Sequence, residues 1–164
     1  MLLTPHFSLE ELIASEIAVR QGISNEPPEG LIPNLLILAK GLELVRVTLG
    51  NLPIHVNSGY RCPELNRAVG GAQNSMHMQG LAADILCPQF GAPLAICRAL
   101  SRAVIDTDQI IHEFGHWCHV AFAAPGTVAR KQELTIASMA SGWRMGRRSR
   151  MPPRRPAAGA TSKR

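Results

Sequence analysis

At 164 residues the chain suits one domain with a real core, and a hydrophobic content of 46% excludes a generally disordered protein. The formal charge of +5 is unevenly placed: residues 139–164 hold eight Lys or Arg and no acid, which leaves nine basic and twelve acidic residues in 1–138. The expected folded body is therefore acidic, and a nucleic-acid partner, which would have to work through the basic tail alone, ranks low.

Ser8 followed by Glu11 is a capping box, so a helix is expected from about Leu9 to Arg20, burying Leu9, Leu12, Ile13 and Ile17 and ending at Gly22. The run I-S-N-E-P-P-E-G is a loop by its prolines and glycine. From Leu31 to Leu49 apolar residues recur at helical spacing (Leu35, Leu38, Leu42, Val45, Leu49), which predicts the longest helix and the support of the core. A short strand over Pro53–Ser58 and a brief helix over Pro63–Ala68 follow, broken by Gly70 and Gly71. Leu81–Leu86 is the next strand, with Ala82 and Asp84 on one face and Leu81, Ala83 and Ile85 on the other. A helix over Pro93–Ala103 turns Leu94, Ile96, Cys97 and Leu100 inward. Three strands are expected at Gln109–Glu113, Trp117–Ala123 and Gln132–Ile136, the first two joined by a tight turn at Gly115. Helices first and antiparallel strands later give an α+β domain over 1–138, and 139–164 is expected to be a basic, disordered tail.

Cys62, Cys87, Cys97 and Cys118 show no C-x-x-C spacing and are expected as free thiols in a reducing compartment. The start M-L-L-T-P-H-F-S lacks a signal peptide's charged region and apolar run, and no stretch of about 18 apolar residues follows. A product made in the cytoplasm, without a transmembrane segment, is expected.

The chemistry concentrates in two clusters. S-M-H-M-Q-G-L-A-A-D, 75–84, offers His77 and Asp84 around Gly80, and E-F-G-H-W-C-H, 113–119, adds His119. Two imidazoles and a carboxylate are ordinary zinc ligands, and three protein ligands leave the open position of a catalytic site, so one zinc and a hydrolase are expected. Strand alternation puts His119 on the face of Trp117 and points Cys118 the other way, as a buried small residue. Glu113 is the chosen general base, for it shares the His119 face if 114–116 form a three-residue loop. A two-residue loop would instead bring His112 beside His119. His116, three residues before His119, is the competitor for the base, its bland reading being a solvated turn residue. Arg61, in S-G-Y-R, can hold a carboxylate bidentately or stabilise an anionic intermediate; a surface salt bridge is the plain alternative. His6 and His55 receive no role.

S-G-Y-R, then S-x-H-x-x-G-x-A-x-D, then E-F-G-x-W-x-H resembles the zinc D-alanyl-D-alanine carboxypeptidases and related murein endopeptidases, especially a short single-domain, endolysin-like branch of bacteriophages and prophages. The resemblance runs from about Thr4 to Ile136. It implies an α+β fold with a small antiparallel sheet, zinc at His77, Asp84 and His119, and contacts to substrate or intermediate from Arg61 and Ser75. The implied substrate is a peptide of peptidoglycan, cut by a monomer that reaches the cell wall by release or on a phage particle. Better-known members carry an acid where this chain has His116, and the phage-like branch places its glutamate at Glu113. That departure feeds a rival expectation, a wall-binding or virion-assembly module that keeps the fold with little catalysis.

Overall fold

The computed structural model describes residues 1–136 and the backbone of Arg148–Arg150. Near the N-terminus the expected single helix is two: α1 (Leu9–Ile13) and α2 (Glu16–Gln21). Ser8 caps the first by accepting from the Glu11 N–H, and Ser15 interrupts by doing the same for the Ala18 N–H. A second N-cap serine followed by an acidic first turn starts a new helix, and it overrides the continuous apolar pattern. Gly22 then closes α2 in the left-handed conformation at φ +67.

Helix α3 (Ile32–Thr48) is the support that its periodicity predicts: Leu35, Leu38, Leu42, Val45 and Leu49 are all fully buried. Leu→Ala at such positions costs about 2–5 kcal/mol. Strand β1 (His55–Ser58), helix α4 (Pro63–Ala68), strand β2 (Ala82–Leu86) and helix α5 (Pro93–Leu100) follow, then β3 (Thr107–Glu113), β4 (Trp117–Phe122), β5 (Gln132–Ile136) and β6 (Arg148–Arg150).

The strands form one sheet in the order β1-β2-β4-β3-β5-β6. All neighbours are antiparallel except β3 and β5, which run parallel. The α+β class holds, but the sheet is mixed where an antiparallel one was expected. The segment 123–131 carries the chain back to the start of β3, so β5 enters in the same direction. The described part of the expected disordered tail, Arg148–Arg150, adds an antiparallel edge strand to β5; the rest of 139–164 lies outside the described residues.

One face of the sheet, with Ala83, Ile85, Ile110, Cys118, Val120 and Phe122, joins the α3 leucines and Ile96, Cys97 and Leu100 of α5 in the core. Alternation along the strands turns Asp84 and His119 to the opposite face. All four cysteines are free and buried. Among the described residues no helix is long and apolar enough to cross a membrane.

Candidate metal centre

A short 3-10 turn, Met76–Gln79, carries His77. It starts where the Ser75 hydroxyl accepts the His77 N–H at 3.3 Å, and it stops at Gly80, whose φ of +67 favours a residue without a side chain. The turn lays His77 over the β2–β4 ladder, in which Asp84 lies directly opposite His119. Three separate stretches of sequence thereby converge on one buried point.

His77 Nε2, Asp84 Oδ1 and His119 Nδ1 form a triangle: 3.2 Å from His77 to Asp84, 2.9 Å from Asp84 to His119 and 3.1 Å from His119 to His77. The other His77 nitrogen, Nδ1, donates to the Gly59 carbonyl oxygen at 2.6 Å. Burial pulls the His77 imidazole below its ordinary pKa, against the attraction of Asp84, so the neutral ring is favoured and Nε2 carries a lone pair. For Asp84, burial alone would raise the carboxyl; the attraction of the two imidazoles beside it and the hydrogen bond from His119 Nδ1 outweigh it and hold the group well below the carboxylate range. The edge between His77 and Asp84 therefore sets lone pair against lone pair. A cation between the three donors removes that repulsion. Donors bound tetrahedrally to zinc at about 2.0–2.1 Å stand about 3.3 Å apart, close to the edges seen here. The donor set thus fits one zinc ion, and among the described residues these three form the group able to hold a metal.

Arg61 borders the triangle. Its Nη2 donates to Asp84 Oδ2 at 3.1 Å, while Nε is buried without a partner among the described residues. Burial lowers the guanidinium pKa against the pull of Asp84 and Glu113, and the group stays charged. The surface salt bridge considered for Arg61 is instead a mostly buried pair.

Glu113 pairs with Trp117 across the β3–β4 turn, so the loop has three residues and Glu113 shares the face of Trp117 and His119. His112, opposite Cys118, takes the other face. The Trp117 indole N–H donates to Glu113 Oε2 at 2.9 Å and fixes the carboxylate. Burial and the neighbouring Asp84 charge raise the Glu113 pKa above its ordinary value, against His119, the indole hydrogen bond and Arg61. His116 is exposed in the turn, its ring 6.0 Å from that of Trp117. Sequence reasoning missed the Gly59 carbonyl and the Trp117 indole. The first is a backbone group with no residue-type signal; the second was legible once Glu113 and Trp117 were paired.

A family profile described as Peptidase M15 matches residues 5–121. The zinc D-Ala-D-Ala carboxypeptidase of Streptomyces albus G is 46% identical over 52 residues, a stretch that covers 32% of this chain and 20% of that protein. The matched stretch thus spans about a fifth of the relative's length. The profile covers well over half of the chain, ending inside β4 beyond the last of the three donors, and on that extent the chain belongs to the peptidase M15 family.

Proposed function

We propose that this chain hydrolyses peptide bonds in peptidoglycan stems or cross-links, as a zinc-dependent monomer of D-Ala-D-Ala carboxypeptidase or endopeptidase type. The supporting observation is the convergence of His77 Nε2, Asp84 Oδ1 and His119 Nδ1 within 3.2 Å of one another, with Glu113 on the same sheet face. The substrate class follows the family and the Streptomyces albus G carboxypeptidase to which the chain is similar. An endolysin-like role, carried by a bacteriophage or prophage, is the proposed setting.

When bound, zinc polarises the scissile carbonyl and lowers the pKa of the attacking water. Glu113 takes the proton from that water and gives it to the leaving amine, with Trp117 holding one carboxylate oxygen and leaving the other free. The raised Glu113 pKa suits a group that must both accept and return a proton. Arg61 spends Nη2 on Asp84 and turns its remaining donors to a substrate carboxylate or to the negative charge developing at the carbonyl oxygen. The Ser75 hydroxyl accepts from His77 and keeps its own proton for a substrate contact.

The test is Glu113→Ala assayed on murein fragments. Turnover should fall by about 10²–10⁴-fold with zinc content unchanged. Normal turnover would sink the base assignment, and wild-type binding to murein with no release of new amines would favour a binding module.

A further inference from the structure

We propose that Asn25 is a positioning residue for the metal centre: its side-chain amide holds the strap 59–62, whose Gly59 carbonyl oxygen orients His77 and whose Arg61 pairs with Asp84. The strap joins β1 to α4 outside any helix or strand, so its polar groups must find their partners in other segments. Asn25 supplies two of them: its Nδ2 donates to the Tyr60 carbonyl at 3.0 Å and its Oδ1 accepts the Cys62 N–H at 2.7 Å. A second Nδ2 proton goes to the Ile13 carbonyl at 2.8 Å, which ties the strap to the end of α1. Only one amide orientation permits this, because a flipped Asn25 would set its oxygen against two carbonyls. All three bonds reach over 12 to 37 residues in sequence, across three chain segments.

The strap is what His77 leans on. Its Gly59 carbonyl takes the His77 Nδ1–H at 2.6 Å, and its Arg61 N–H donates to the His77 carbonyl at 3.2 Å. The first bond selects the tautomer that leaves Nε2 free for a metal; the second fixes the turn that carries the ring. Partners of this kind, one step behind the ligands, are worth about 10–100-fold in metal affinity. Without Asn25 the Tyr60 N–H bond to Leu12, at 2.7 Å, is left as the strap's tie to α1, and the strap can pivot on it.

The inference rests on reading His77, Asp84 and His119 as a metal centre, and the test separates the two. Zinc dissociation constants are measured on the full chain by chelator competition for wild type, Asn25→Ala, the milder Asn25→Ser, and Asp108→Asn as a destabilised control away from the site. Acting one step further out than the Gly59 carbonyl, the Asn25 variants should lose about 10-fold in zinc affinity while folded, and the control should stay within about twofold. In parallel, nitrogen NMR of metal-free protein reads the His77 ring: one Nδ1–H tautomer in wild type, a mixture in the Asn25 variants. Folded Asn25 variants with wild-type affinity and a wild-type tautomer would overturn the inference. A wild type that binds no zinc would overturn the metal reading, and the tautomer comparison would still decide the role of Asn25. Should Asn25→Ala fail to fold, Asn25→Ser carries the test.

Discussion

Asp84 and Asp108 are both buried aspartates paired with an arginine, and they are built for opposite ends. Asp108 is saturated: its Oδ1 accepts the Arg130 backbone N–H at 2.9 Å and Nε at 3.1 Å, and its Oδ2 accepts Nε at 3.0 Å and Nη2 at 2.5 Å. Every contact is with an N–H, the single Nε proton being shared between the two oxygens. Asp84 gives Oδ2 to Arg61, but its Oδ1 faces two imidazole nitrogens, one of which carries no proton. A structural carboxylate is satisfied by the chain's own donors, whereas a ligand carboxylate directs an oxygen at other lone-pair donors, an arrangement that favours a cation.

Breaking the two aspartates in turn should separate these roles. Asp84→Ala removes a metal ligand and strands the Arg61 guanidinium. Zinc retention and turnover should both be lost, and the metal-free protein should lose about 3–5 kcal/mol of stability, read by denaturant unfolding. Gly59→Ala tests the support behind the site. A side chain there would stand 2.3 Å from the Leu12 carbonyl oxygen, so the strap must shift. The expected cost is about 1–3 kcal/mol, with weaker zinc binding by chelator competition. Asp108→Asn should cost only about 1 kcal/mol, because Arg130 is half-exposed and solvent screens the pair, with zinc affinity unchanged.

That last difference carries a pH signature. The Arg130 hydrogen bonds hold the Asp108 carboxyl below its ordinary value of 3.8, against a smaller opposing effect of burial. A depressed folded pKa means the unfolded chain binds the proton first as pH falls. The stabilisation is fully present above the unfolded value and is lost as pH drops through the lower folded one. The gap between wild type and Asp108→Asn, followed by urea unfolding, should therefore close below about pH 4.

Local patterns were legible in the sequence; partners far apart in sequence were not. The α3 leucines, the Ser8 cap and the Asp84 and His119 faces follow from spacings of a few residues, and the structure has each of them. The Ser15 cap is also local, but an apolar pattern running through it concealed the break. The parallel entry of β5 depends on the path of 123–131, which composition does not dictate. Asn25 lies in a loop known by its prolines, yet its hydrogen-bond partners sit at positions 13, 60 and 62. Its part in the fold is set by tertiary contacts alone. For Glu113, the sequence left two loop lengths open, and the register with Trp117 chose between them.

Zinc content per chain, by elemental analysis of purified wild type beside His119→Ala, decides whether His77, Asp84 and His119 hold a metal. About one zinc is expected in the wild type and a clear loss in the variant. A wild type that stays metal-free after reconstitution with zinc would contradict this expectation.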